Sequence, residues 1–274
     1  MEFALSTHLF VSERLGSHLL DQVYAAGIRQ FEIFAARQHL DYHDPNQVRD
    51  VGLWFKDRGV RVHSLHAPLF ADFDWGRSGG LPISLTYLEK RLRINSMDEI
   101  KRAIDISEQL PFRYLVVHLG LPDEEFDMRK FDAALTSVEH LKLFARGRGV
   151  QLLLENIPND LAAPARLIQF IQYTRLEDLK ICFDTGHAHM TGGVQPAFDL
   201  LKNRIVSTHV HDNQREKDDH LFPFDGGIDW EQTIRDFRTV DGQFPIVFEL
   251  RHYSPEASSL ARLRQVIERI EAIR

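Results

Sequence analysis

A single cysteine, Cys182, in 274 residues leaves no partner for an internal disulfide, so no covalent framework is expected to hold this chain together. No apolar run approaches the roughly 18 residues that a membrane crossing needs. The opening stretch MEFALSTHLFVSERL lacks the basic segment and apolar core of a secretory leader. These absences lead to the expectation of a cytoplasmic protein with no membrane partner. Cys182 lies within an apolar run and reads as packing rather than as a nucleophile. Positive charge is also short, with 33 Lys and Arg against 40 Asp and Glu and a net charge of −7. That balance disfavours a broad nucleic-acid footprint, although cations bound where acids converge would restore positive charge locally. Histidine runs the other way: the chain has 14, and their positions carry most of the argument.

Short apolar strands alternate with amphipathic helical stretches along the whole chain. Strands are expected at 3–10, 30–34, 60–66, 114–118, 151–157, 180–184, from 205 and at 245–250. Helices are expected at 14–25, 45–56, 88–109, 127–146, after Pro164, at 196–202, from Asp229 and at 256–270. Gly27 and Gly59 stand where C-cap glycines belong. Ile94, Met97, Ile100, Ile104 and Ser107 form one stripe, and Leu260, Leu263, Val266, Ile267 and Ile270 another. Gln232 is the expected capping-box partner of Asp229. Regular βα alternation implies a parallel sheet, and eight units is the count that closes a barrel. The fold expected is therefore α/β, a (β/α)8 TIM barrel, with residues 1–274 as one domain. Only the stretch FADFDWGRSGGLP, residues 70–82, breaks the rhythm, and it reads as a long loop.

In such a barrel, functional side chains gather where the strands end. The strand ends here carry His66 in SLHAP, His118 in VVHLG, Glu155 in LLLENI, and Asp184 with His187 in ICFDTGHAH. Past the seventh strand, His209, His211, Asp212, Asp218, Asp219 and His220 crowd into a dozen residues, and Glu249 lies in IVFEL. Taken alone, each histidine fits a hydrogen-bonded structural role, and the crowded stretch fits a polar surface loop. The glutamates are harder to place: an unpaired carboxylate at the end of an apolar strand costs roughly several kcal/mol. No Lys or Arg lies within those strand cores, and a shared divalent metal would neutralise all of them at once.

These motifs (LLLEN, FDTGHAH, HVHDN, DDH followed by GGIDW, and FEL) resemble those of the xylose-isomerase-like barrel superfamily. It contains ketose epimerases, sugar and sugar-phosphate isomerases, inosose dehydratases and the endonuclease IV family, and the resemblance spans essentially the whole chain. In the epimerase branch, the resemblance implies one divalent ion (zinc, manganese, magnesium or cobalt) on Glu155, Asp184, His211 and Glu249, with His187 lining the substrate pocket. In the endonuclease IV branch it implies up to three zinc ions on His66, His118, Glu155, Asp184, His187, His211, Asp218, His220 and Glu249, with Asp219 a substitute for Asp218.

Several features favour the sugar branch. Leu69 follows HAP where the endonucleases carry tyrosine, and Leu119 follows His118 where they carry proline. Basic residues expected at the mouth are few, namely Arg37, Arg77, Arg215, Lys217 and Arg251, whereas a duplex binder contacts many phosphates. Glu32 in FEIF resembles the sugar-isomerase pattern. Against this branch, the epimerases carry an arginine where Lys217 stands, with Arg215 two positions earlier as a substrate-binding candidate. The expected activity is isomerisation or epimerisation of a sugar or sugar phosphate, with Glu155 and Glu249 as the acid/base pair. His66 and His187 would hydrogen-bond substrate hydroxyls, and Phe73 and Trp75 would sit on a loop that closes over the site. The alternatives are abasic-site phosphodiester cleavage, the one reading with DNA as a partner, and a non-catalytic metal- or sugar-binding barrel. A homo-oligomer is compatible with each.

Overall fold

Successive side chains along each strand point to opposite faces, which leaves one face toward the helices and one toward the barrel axis. In the computed structural model, which describes residues 1–240, 242–251 and 256–274, this alternation builds a nearly closed barrel. Its strands are β1 (Phe3–Ser6), β2 (Gln30–Phe34), β3 (Arg61–His66), β4 (Phe112–His118), β5 (Gln151–Glu155), β6 (Lys180–Asp184), β7 (Ile205–His209) and β8 (Ile246–Phe248). All pairings between these strands are parallel, in the order β7-β6-β5-β4-β3-β2-β1-β8. The β7–β8 seam is closed by a parallel bridge from Val210 to Phe248 and by the Thr208 hydroxyl, which accepts from Val247 N at 3.1 Å and donates to Pro245 O at 2.9 Å. The architecture is the (β/α)8 barrel expected from the sequence.

The surrounding helices are α1 (Ser17–Ala25), α2 (Pro45–Arg58), α3 (Lys90–Asp105), α4 (Met128–Arg146), α5 (Pro164–Thr174), α6 (Thr185–Met190), α7 (Val194–Leu201), α8 (Trp230–Arg238) and α9 (Glu256–Ala272). Helix α2 shows why the ends fall where they do. Asp44 accepts from Asn46 N, Pro45 occupies the first turn, and Gly59 ends the helix in the left-handed conformation at φ 62°. The core between helices and sheet is dense in aromatics, with Phe31, Phe131, Phe170, Phe183 and Phe198 fully buried.

Four expectations are revised. The first strand stops at Ser6, because Ser6 caps a 3-10 turn over Thr7–Phe10 and the Thr7 hydroxyl accepts from Phe34 N at 2.9 Å. Nine α-helices rather than eight are present among the described residues, because Asp184 caps the short helix α6 through a 2.6 Å bond from His187 N. Ile94 is 39% exposed, so the buried stripe of α3 is Ser96, Met97, Ile100, Ala103 and Ile104. Asp229 caps α8 by accepting from Gln232 N at 3.0 Å, but the Gln232 amide turns forward to Asp236 and leaves the capping box half made. Among the described residues, no helix is long and apolar enough to cross a membrane.

Candidate metal centre

The strand pleat decides what enters the barrel. On β5, Leu152 and Leu154 face the helices, so Leu153 and Glu155 face inward; on β6, Ile181 and Phe183 face out, so Cys182 and Asp184 face in. Glu155 and Asp184 end their strands at the same rim, where β7 and the residue after β8 bring His209 and Glu249. One ligand atom from each of Glu155, Asp184, His209 and Glu249 lies within 4.8 Å of the others, and all four side chains are buried. His209 Nδ1 stands 3.0 Å from Glu155 Oε1 and 3.4 Å from Glu249 Oε2.

The resemblance implies His211 beside Glu155, Asp184 and Glu249; in the structure His209 lies among all three carboxylates, and His211 adjoins the same Asp184. The reason is the end of β7: His209 is the last strand residue and points inward, whereas His211 lies beyond the strand. Its Nε2 is 3.0 Å from Asp184 Oδ2, and it joins two neighbouring groups, Asp184–His187–His211 and His211–Asp218–His220. Gly186 makes room for this ring, since a Cβ there would sit 2.0 Å from His211 Cε1.

His66 and His118 approach Glu155 Oε2 at 3.4 and 3.0 Å from β3 and β4. Asp218 Oδ2 lies 3.3 Å from His187 Nε2 and 3.0 Å from His220 Nε2. All nine candidate ligands therefore converge on one rim.

The loop that delivers Asp218 and His220 is anchored by Asp212. Its buried carboxylate accepts from Phe224 N, Gly226 N, Ile228 N and Trp230 Nε1 at 3.2, 2.9, 3.1 and 2.6 Å. A Cβ on Gly226 would lie 2.3 Å from that carboxylate. The pairing of HVHDN with GGIDW is thus a structural requirement.

The electrostatics fit a cation. Among the described residues, the carboxylates Glu32, Glu155, Asp184, Asp218 and Glu249 make ion pairs with imidazoles and with no Lys or Arg. Burial would raise the Glu155 carboxyl, but His209 and His118 outweigh it and hold it well below the usual carboxylate range. Burial would lower His220, yet the Asp218 carboxylate raises it to about 9. Asp218 Oδ1 and His211 Nδ1 are buried with no hydrogen-bond partner. Carboxylates and imidazoles in this density are the donor set of zinc and its first-row neighbours. The residues present fit such an ion.

Above the cluster opens a cavity of about 470 Å³, lined by His66, His118, Glu155, His187, Asp218 and Glu249 among others. Clefts of about 650 Å³ between α8 and α9 and about 780 Å³ between α2 and the start of β4 contain none of these residues. Phe70 and Pro82, bridged to each other at the base of the long loop, line the cavity, while Phe73 is 53% exposed. Trp75 stands behind the lining, its ring 5.7 Å from Phe34 and 6.1 Å from His8. Arg215 is not part of the lining, because its Nε donates to His189 Nε2 at 2.9 Å; Lys217 and Glu216 occupy the rim instead.

Three residues of this region escape the sequence reading of the site: His8, Glu32 as a partner of His209, and His209 as a member of the carboxylate group. His8 lines the cavity with Nδ1 3.1 Å from Leu250 O. The signal that could have found His209 was its place as the last inward residue of β7.

Known proteins agree with this architecture. An uncharacterized protein, y4fM, of Sinorhizobium fredii is 26% identical over 237 residues, covering 78% of this chain and 75% of its own. The uncharacterized protein MJ1311 of Methanocaldococcus jannaschii is 24% identical over 98% of this chain and 90% of its own. Among solved structures, a D-tagatose 3-epimerase-like protein superposes with a TM-score of 0.78 at 21% identity, over 99% of this chain and 98% of that one. The IOLI protein, solved with a binding zinc atom, superposes with a TM-score of 0.76 at 15% identity, over 99% and 96%. At such identities the structural likeness is one of fold. The sequence model of the family described as the xylose isomerase-like TIM barrel matches residues 20–273, and this chain belongs to that family.

Proposed function

We propose that the chain is a divalent-metal-dependent isomerase or epimerase acting on a sugar or sugar phosphate. The observation that carries this reading is the buried group Glu155, Asp184, His209 and Glu249 beside a cavity of about 470 Å³, a volume in the range of small-molecule sites. A divalent ion held there would polarise a substrate carbonyl and stabilise the negative charge that develops on its oxygen. The protein's own groups do the rest. Glu155 and Glu249 reach the cavity from different strands, so one carboxylate takes the proton from the carbon beside the carbonyl and the other returns a proton to that carbon or its neighbour. His66 and His187 line the same cavity and bind hydroxyls. The apolar wall of Phe34, Leu69, Phe70 and Ile83 excludes water from the reacting carbon. Solved neighbours titled L-ribulose 3-epimerase and D-allulose 3-epimerase in complex with D-allulose support the substrate class.

The test is incubation of the metal-loaded protein in deuterated water with a panel of ketoses and ketose phosphates. The expected result is deuterium incorporation at a carbon next to the carbonyl, abolished in Glu155→Gln. No exchange with any member of the panel would refute the reading.

One observation favours a second reading. The adjoining groups around His187, His211, Asp218 and His220 supply ligands for further ions, as phosphodiester hydrolysis by a multinuclear site requires. Nicking of a duplex carrying an abasic analogue, with a steep salt dependence, would select it. Elemental analysis separates the two: one ion per chain favours the sugar chemistry, two or three the hydrolysis.

A further inference from the structure

Glu32 lies on β2, on the far side of the barrel from β7, and is fully buried. Its two carboxylate oxygens straddle His209 Nε2 at 2.9 and 3.1 Å, and the Ser64 hydroxyl donates to Oε2 at 2.7 Å. Ser64 is set opposite Glu32 by an irregularity in the β2–β3 register between Phe31 and Glu32. Among the described residues, Glu32 belongs to none of the groups able to hold an ion, and its partners are His209 and Ser64.

A neutral imidazole carries one N–H, and which nitrogen bears it is set by the partner of the other. Carboxylates stand at both ring nitrogens, and Glu32 astride Nε2 keeps an N–H there when Nδ1 gives up its proton in favour of an ion. Nδ1 faces Glu155 Oε1 at 3.0 Å and Glu249 Oε2 at 3.4 Å, and it is the nitrogen whose lone pair a cation among those carboxylates would take in place of the proton. We propose that Glu32 is a positioning residue: it holds His209 in the tautomer and ring orientation that turn Nδ1 toward Glu155, Asp184 and Glu249, and thereby governs the affinity of that group for a divalent cation. Without Glu32, the proton moves to Nδ1, drawn by the carboxylates there, and competes directly with the ion. Partners of this kind behind a ligating histidine typically contribute about 10- to 100-fold in metal affinity. The inference rests on reading the Glu155 group as a cation site.

The experiment compares wild type, Glu32→Ala, Glu32→Gln and Ser64→Ala, each stripped with a chelator and titrated with Zn²⁺ against a chromophoric competitor. The Co²⁺ absorption spectrum and the melting temperature with and without metal are recorded alongside. The expected order of affinity is wild type, Ser64→Ala, Glu32→Gln, Glu32→Ala, with the last weaker by about 10- to 100-fold. Gln retains an oxygen that accepts from Nε2–H and so rescues part of the loss. The Co²⁺ spectrum shifts in Glu32→Ala, and the stabilisation on adding metal shrinks more than the metal-free melting temperature falls; a purely structural role would move only the latter. A folded Glu32→Ala variant that binds Zn²⁺ within about twofold of wild type would overturn the proposal. Should that variant not fold, Glu32→Gln and Ser64→Ala both binding as tightly as wild type would do the same. A wild type that binds no Zn²⁺ would instead overturn the cation site itself, and this inference with it.

Discussion

The two faces of the same strands do opposite work. On β6, Ile181 and Phe183 face the helices and join the main apolar core, while Cys182 and Asp184 face the barrel axis. On β2, Phe31 and Ile33 face outward and Glu32 faces His209. One outward residue more or less changes how well the protein folds; one inward residue changes what the rim can bind. The comparison shows that stability and chemistry are separated here by one residue of strand, not by distance along the chain. The inward face is electrostatically expensive, since three buried carboxylates share one small volume, and the apolar shell carries that cost.

The sharpest break in this comparison is expected from Glu249→Gln. Under the proposed reading, it lowers the rate of deuterium exchange by about 10²- to 10⁴-fold. Its metal-free melting temperature is expected to change little, because relief of repulsion from Glu155 and Asp184 is offset by loss of the pairs with His209 and His220. A large fall in melting temperature would show that the inward face also holds the fold.

Phe183→Ala, one residue before Asp184, is expected to behave in the opposite way. It removes a fully buried ring packed against Phe198 and Phe237 and costs about 3–5 kcal/mol in denaturant unfolding. The fraction that remains folded is expected to bind Zn²⁺ as wild type does. Loss of metal affinity in the folded fraction would blur the division.

A smaller effect is expected from pH, at a residue outside the rim. Burial lowers the His39 pKa to about 4 and keeps the ring neutral in the folded protein, with Nδ1 2.5 Å from Glu13 O. In the unfolded chain the ring titrates near its ordinary 6.5. The stability this contributes is therefore intact above pH 6.5 and is lost as the pH falls toward 4, by about 3 kcal/mol over the interval. His39→Gln is expected to flatten the stability profile between pH 6.5 and 4, and a profile as steep as wild type would assign the acid sensitivity elsewhere.

Much of this was legible before any coordinates. Strand and helix alternation predicts the barrel because hydrophobic periodicity is a local property, and the glycines at 27 and 59 mark helix ends through their own backbone freedom. The inward direction of Glu155 and Asp184 follows from the same pleat. What escaped depends on competition between nearby options. FDTGHAH reads as the end of a strand, yet the Asp184 cap turns it into a helix and lifts His187 over the rim. Arg215 has the charge and spacing of a substrate contact, but His189 accepts its Nε. Ile94 keeps the spacing of a buried stripe and still faces solvent.

The sequence alone determined a family barrel with acids and imidazoles at its strand ends, because side-chain direction along a strand is set residue by residue. Only the tertiary structure brings His209 among Glu155, Asp184 and Glu249, sets His211 beside Asp184, and stands Glu32 behind His209. Those pairings run across the barrel, from β2 to β7 and from β5 to the end of β8, and no spacing within one segment encodes a distance that exists only once the sheet has curled and closed.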